Sequence, residues 1–333
     1  MGSGRATMVA AILAVAGLVG CQDGGPGRGG SGSGGGVTVR AMNVPDDPSI
    51  AVLMYLPQTV TVNVGTSVSW ALSGPEPHTV TFFPAGQPVP PVSRDRSLLT
   101  PSAAGDDVLD PRRLVNSGVM GPGSEPFRLR FGEPGTYTYH CVLHPGMIGT
   151  VRVVPVGAGA DAPDDVTGRG NRELRQWAAE GGEAKRRLTG GPPVGTPAAD
   201  GSMAWTVEMG ASTAHTQVLA FSPVTADIRP GDRITFVNDS HTRHTATFPA
   251  GLPPPEDPSS PDAAVPRPGP SPQPLTAGEP AGTGTVPPDA PAPSARLPAE
   301  ARSYTFVVAA SGEYPYVCVY HQASAMVGLI RVA

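Results

Sequence analysis

Two stretches decide the fold: Gly135-Thr-Tyr-Thr-Tyr-His-Cys-Val-Leu-His144 and Gly312-Glu-Tyr-Pro-Tyr-Val-Cys-Val-Tyr-His321. In each, an alternating segment leads into a Cys with a His three residues later. A Met and a Gly-containing run then follow, with the Met at position 147 or 326. A pattern this specific, present twice and in the same order, indicates two copies of one domain.

An upstream pair of segments supports the duplication. Residues 52–82 align without a gap on residues 218–248, a shift of 166 residues that places His78 on His244. Both segments alternate apolar and polar residues and are interrupted by Gly and Pro at short intervals. A period of two with such interruptions predicts short strands, so the fold class is all-β, with two β-sandwich domains.

The composition excludes several classes of protein. The 333 residues are enough for two domains, and only 15% are charged, with a net charge of −5. A nucleic-acid-binding protein would carry a basic stripe, so we expect no nucleic-acid partner. Three cysteines are too few for a disulfide scaffold.

The predicted domains are separated by a connection of different composition. We expect the first domain at 37–155, a long Gly/Pro-rich linker at 156–200 and the second domain at 201–333. A short helix at 171–180 is the one helical signal in the linker, and the sequence gives it no function. Pro-rich inserts in the two copies, roughly 85–124 and 251–300, are expected to be surface loops or disordered segments.

The amino terminus has the pattern of an export signal. A single basic residue, Arg5, precedes an apolar run at 8–19 that is too short to span a membrane comfortably. Leu18-Val-Gly-Cys21 resembles the lipobox of bacterial lipoproteins. The resemblance implies a signal peptide at 1–20, lipidation of Cys21, a Gly-rich tether at 21–36 and an extracytoplasmic protein anchored to the cell membrane by lipid. A plain secretory signal is the alternative.

Each copy offers one thiol, two imidazoles and one thioether. A trigonal set of two His and one Cys with a weak axial Met is the blue-copper arrangement. The thiolate favours Cu(I) and the imidazoles suit Cu(II), so the site changes little when one electron moves. Zinc also accepts thiolate and imidazole, but a weak axial Met is not a useful ligand for zinc, so copper is favoured. The candidate metal ligands are His78, Cys141, His144 and Met147, and His244, Cys318, His321 and Met326.

Both copies resemble the cupredoxin family, which includes plastocyanin, amicyanin and pseudoazurin. The Gly-x-Tyr-x-Tyr-x-Cys approach to the Cys–Met loop carries this resemblance, together with the ligand order. The resemblance implies an eight-stranded Greek-key sandwich with the metal at one end. It also implies two type 1 copper ions per chain, held by the eight candidate ligands, and electron exchange with redox partner proteins.

The histidines left over bear on alternative functions. His140, His215 and His241 have no assigned role. His140 adjoins a copper Cys, the position that links metal centres in two-domain copper nitrite reductases. The H-x-H pairs of oxygen-reducing copper enzymes are missing from the sequence. We therefore predict an electron carrier that is not an enzyme, with a copper-delivery protein and a copper oxidoreductase as alternatives.

Overall fold

The computed structural model describes residues 36–90, 95–103, 107–248, 271–276, 281–284 and 302–333. The predicted signal peptide, Cys21 and all but the last residue of the Gly-rich tether lie outside the described residues, as does most of the 251–300 insert. These described residues form one compact unit.

The first domain is a two-sheet sandwich. One sheet has the order β2-β1-β4-β7 and the other β3-β9-β8-β5-β6. The alternation of apolar and polar residues along the strands explains the two layers. In β4, Val68 and Trp70 are buried between the sheets while their neighbours are not. The elements are β1 (Val37–Val44), β2 (Asp47–Leu56), β3 (Thr59–Asn63), β4 (Ser67–Ser73), β5 (Thr81–Phe82), α1 (Arg96–Leu99), β6 (Val115–Asn116), β7 (Phe127–Arg130), β8 (Gly135–His140) and β9 (Ile148–Val154).

The second domain repeats this plan. Its sheets have the orders β12-β11-β14-β18-β16 and β13-β20-β19-β15-β17, with β10 paired to β11. The elements are β10 (Gly195–Pro197), β11 (Met203–Ser212), β12 (Thr216–Ser222), β13 (Thr225–Ile228), β14 (Arg233–Val237), β15 (Thr247–Phe248), β16 (Gln273–Leu275), β17 (Ala281–Gly282), β18 (Ser303–Val308), β19 (Gly312–Val317), a 3-10 turn (Gln322–Ser324) and β20 (Val327–Val332). The pairing of β10 means that this sheet begins before residue 201.

The 85–124 insert is more ordered than its composition predicts. Its described part contains α1 and β6, and β6 pairs with β5. Leu98 and Leu99 of α1 are buried together with Val142, the residue after Cys141. Two adjacent leucines thus give a Pro-rich segment enough apolar surface to pack on the domain beside the Cys–Met loop.

The connection at 156–200 is more regular than the predicted Gly/Pro-rich linker with one short helix. Residues Pro163–Thr189 form α2, a 27-residue helix that contains the predicted 171–180 segment. A Pro in its first turn and charges at its ends suit a helix: Asp164 and Asp165 lie in the first turn, Arg186 and Arg187 in the last. The helix contacts β1 and β2 of one domain and β11 and β12 of the other.

Glycines allow this helix to approach the sheet closely. A Cβ at position 170 would stand 3.0 Å from the Leu56 carbonyl carbon, and one at position 181 would overlap Ile50 and lie 3.2 Å from Thr216 Oγ1. Both glycines are buried on the helix face that also carries Val166 and Ala184. Gly170 and Gly181 therefore pack the helix against the sheet, although the composition of their segment indicates a linker.

The two domains share a ten-stranded sheet. Strands β2 and β12 pair antiparallel, with Val52 opposite Thr216, Ala51 opposite Gln217 and Ile50 opposite Val218. The 166-residue shift makes Ala51 and Gln217 equivalent positions, so each domain offers the same strand to the other around a pseudo-two-fold axis at that pair.

Candidate metal centres

The first site lies at one end of the first sandwich. Cys141 Sγ is 3.9 Å from Nδ1 of His78 and 3.6 Å from Nδ1 of His144, and the two imidazole nitrogens are 3.2 Å apart. All three side chains are buried. The structure therefore brings together three of the four residues that the spacing of the first copy predicts as ligands.

The second site has nearly the same geometry. Cys318 Sγ is 3.8 Å from Nδ1 of His244 and 3.4 Å from Nδ1 of His321, and these nitrogens are also 3.2 Å apart. Metal–nitrogen and metal–sulfur bonds of about 2.0 to 2.3 Å suit donor atoms at such separations. Each trio can therefore share one ion with little movement.

The Cys–Met loops are closed by backbone hydrogen bonds. The amide of Cys141 donates to the carbonyl of Met147 at 3.0 Å, and that of Cys318 donates to Met326 at 3.0 Å. Both methionine side chains are fully buried. The loops thus place each Met beside its Cys in the interior, and thioether ligation remains a prediction.

A threonine after the upstream His supports each loop. Thr79 N–H points to Cys141 Sγ at 3.4 Å, and its hydroxyl accepts from the amide of Val142 at 2.9 Å. Thr245 makes the same two contacts with Cys318 and Val319, at 3.4 and 2.9 Å. Sequence reasoning did not single out these residues, although a Thr follows the aligned His in both copies.

Burial keeps the donor groups neutral before metal binds. It lowers the pKa of His144 to about 4 and that of His244 to about 3, and it raises the pKa of the Cys318 thiol to about 11. The pKa of Cys141 is likewise raised by burial, against hydrogen bonds that lower it. The imidazoles thus have their lone pairs available at neutral pH, whereas a metal must displace the proton of each thiol.

The first domain contributes to the electrostatic environment of the second site. Burial is the main cause that lowers the pKa of His321, and smaller contributions come from His244 and from His144 of the other domain.

The donor chemistry fits copper. One soft thiolate and two imidazoles, buried in a fixed trio, suit both Cu(I) and Cu(II). The sequence profile described as copper binding proteins, plastocyanin/azurin family, matches residues 43–154 and 207–333. The chain belongs to this copper-binding family. As a member of the plastocyanin/azurin family it contains two cupredoxin-like sandwiches, each with a candidate copper site.

Individual relatives match one domain's length of this chain. Plastocyanin from Prochlorothrix hollandica is 25% identical over 104 residues, which are 30% of this chain and 63% of that protein. The match thus spans less than two thirds of that plastocyanin. A reduced-state structure of an amicyanin variant is 25% identical and covers 36% of this chain and 83% of its own, with a TM-score of 0.24. An oxidized amicyanin variant is 26% identical, with the same coverage and a TM-score of 0.25.

The two cupredoxin sites differ in how the upstream His is held. Nε2 of His244 lies 3.0 Å from Ser240 Oγ, whose hydroxyl donates to Asn238 Oδ1 at 2.7 Å. The Ser240 oxygen can therefore accept a hydrogen bond from Nε2–H, which leaves Nδ1 of His244 free to bind metal. The aligned position in the first copy is Gly74, and the buried Nε2 of His78 has no hydrogen-bond partner among the described residues.

Replacing Ser240 with Ala is expected to raise the reduction potential of the second site. Loss of a hydrogen bond worth about 1 kcal/mol makes the imidazole a weaker donor to Cu(II), which corresponds to ~40 mV for one electron. Voltammetry measures the shift, with the first site, which lacks this hydroxyl, as the internal reference. An unchanged second potential, or an equal shift at both sites, would contradict the prediction.

The remaining histidines do not assemble a third site. The ring of His140 packs against Phe83. Nδ1 of His215 lies 3.0 Å from Glu180 Oε2, and the His215 ring stacks on Trp177. The backbone of His241 donates to Ser212 Oγ. Among the residues that the structure describes, the two trios are the only groups of three or more potential metal-binding side chains of the His, Cys, Asp and Glu types.

Proposed function

We propose that this protein is an electron-transfer protein with two type 1 copper sites. The observation that carries the proposal is the pair of buried, nearly identical sets of one Cys and two His. Copper, when bound, supplies a one-electron couple. The chain holds its donor atoms in place from two backbone segments of a rigid sandwich, and a site that moves little presents a small barrier to electron exchange.

The proposal places the protein outside the cytoplasm, attached to the cell membrane through lipid on Cys21. The sequence at 8–21 supports this placement. In the described ranges, no helix has the length and apolar character needed to cross a membrane. Partners would be redox proteins that donate and accept single electrons.

The copper-loaded protein is expected to bind two coppers per chain and to show an intense thiolate-to-copper absorption band. Both sites should take up and release one electron reversibly and keep their metal in both states. Metal analysis combined with a redox titration tests this result. A count near one, or a colourless Cu(II) protein under oxidising conditions, would contradict the proposal.

Competition with a Cu(I) chelator tests a copper-delivery role. A delivery protein would release Cu(I) to a competing chelator, whereas buried ligand sets are expected to retain it.

The proposed electron carrier has no enzymatic turnover. Support comes from the separate places of His140, His215 and His241, since an interfacial enzyme site would need several of them to converge.

A further inference from the structure

Glu76 crosses the domain interface. It lies in the first domain, two residues before His78, yet its side chain contacts the second domain. Its Oε1 accepts a hydrogen bond from Ser324 Oγ at 2.9 Å, and its Oε2 lies 3.7 Å from Nε2 of His321. Glu76 and the His321 side chain are both more than 90% buried.

The backbone of Glu76 is held firmly in its own domain. Its amide donates to Asn43 Oδ1 at 3.2 Å, and Asn43 Nδ2 donates to the carbonyl of Pro48 at 2.8 Å. Gly74 packs against Asn43 with a φ of +123°, where a Cβ would stand 2.6 Å from Asn43 Oδ1. The chain can therefore turn toward the interface only because position 74 is glycine.

A buried carboxylate is costly unless it interacts with polar or charged groups. The hydrogen bond from Ser324 Oγ offsets part of this cost for Glu76. In the described part of the chain, His321 is the ionisable side chain whose nitrogen lies within 4 Å of this carboxylate. The contacts of Glu76 are thus concentrated on the metal-binding loop of the second domain, at both His321 and Ser324.

We propose that Glu76 is a positioning residue for His321, supplied by the first domain to complete the copper site of the second. The carboxylate orients the imidazole through Nε2 and leaves Nδ1 directed at the metal. A carboxylate behind a metal-bound imidazole strengthens it as a donor, which favours the more highly charged Cu(II) state. This inference rests on the proposed function, because it takes His321 as a copper ligand.

The first domain receives no carboxylate from the position that aligns with Glu76. The 166-residue shift aligns Glu76 with Thr242, which carries no charge. The interface is therefore built on equivalent strands but is unsymmetrical at the metal sites. The second site gains a negative group from its partner domain, and the first site does not gain one from the aligned position.

The test is Glu76→Gln in the full chain, which retains size and an acceptor oxygen but removes the charge. It is made in a Cys141→Ser background, which leaves the second copper, and in a Cys318→Ser background, which leaves the first. Voltammetry at pH 8 is expected to show a tenfold shift toward Cu(I) at the second site, which equals 59 mV for one electron. The first site should not move, although Glu76 lies in its own domain. No shift at the second site, or a shift at the first alone, would overturn the proposal.

A second readout is independent of copper. Nitrogen NMR of the metal-free protein should show a smaller fraction of the Nε2-protonated form of His321 in Glu76→Gln, and an unchanged fraction overturns the proposal. Ser324→Ala is a milder variant that loosens the carboxylate, and it should shift the second potential in the same direction. It replaces Glu76→Gln if that variant does not fold.

Glu180→Gln is the matched control, because Glu180 faces His215, which lies outside both sites. It is expected to change neither potential, and an equal shift in this variant would show a nonspecific charge effect and overturn the proposal. The unsubstituted protein separates the two levels of inference. If it binds no copper or stays colourless, the proposed function fails. If it binds two coppers and Glu76→Gln moves nothing, only the role of Glu76 fails.

Discussion

Replacing Cys141 with Ser is expected to remove one of two coppers per chain and about half of the thiolate-to-copper absorption, and Cys318→Ser should do the same. The absorption arises from sulfur bonded to copper, and each trio contains its own sulfur. Ser is close in size but is a poor ligand for Cu(I), so the sandwich should remain folded while the site is lost. Metal analysis and visible spectroscopy on the purified variants measure both effects.

Each single variant is the control for the other, and the double variant gives the zero level of absorption. Complete loss of colour from either single change would indicate one site shared between the domains. Retention of two coppers with half the colour would show that serine oxygen can hold the metal in place of sulfur.

Gly181→Leu is expected to lower the free energy of unfolding by about 3 kcal/mol. Helix α2 crosses the paired strands β2 and β12 at this residue, and any side chain there would overlap Ile50 and press on Thr216. Overpacking a buried contact costs about 1 to 3 kcal/mol, and this contact joins both domains to the helix. Chemical unfolding followed by circular dichroism measures the change.

Gly182→Leu is the matched control, one residue further along the helix. Among the described residues, a Cβ at position 182 would meet only Arg186 Nη1, at 3.7 Å, so the gain in helix propensity of about 0.8 kcal/mol should stabilise the protein slightly. Equal stability of the two variants would show that α2 does not need close contact at Gly181. The copper count should stay at two in both.

The sequence predicts the sandwiches and the metal ligands because both depend on local patterns. Alternation over a few residues marks the strands, and the Cys–His spacing of three places both donors on one loop. The duplication adds an internal check, since it aligns His78 with His244. The same comparison could have found Thr79 and Thr245, which follow these histidines in both copies and support the Cys loops.

The interface was not predictable in the same way. Gly170 and Gly181 are typical of a linker by composition, but their packing role depends on strands that lie far away in sequence. Glu76 and Ser324 are 248 residues apart, and no local pattern connects them. Long-range contacts that depend on how two domains pack require the structure, whereas the ligand loops do not.

The pairing of β2 with β12 covers a sheet edge that each domain would otherwise expose. A strand edge with free amide and carbonyl groups is a template for association with other chains. Because α2 joins the two halves covalently, this pairing is unimolecular, and its extent does not depend on protein concentration. The paired metal sites should thus stay together even when the protein is scarce, an advantage that a dissociable homodimer of single-copy domains would lack.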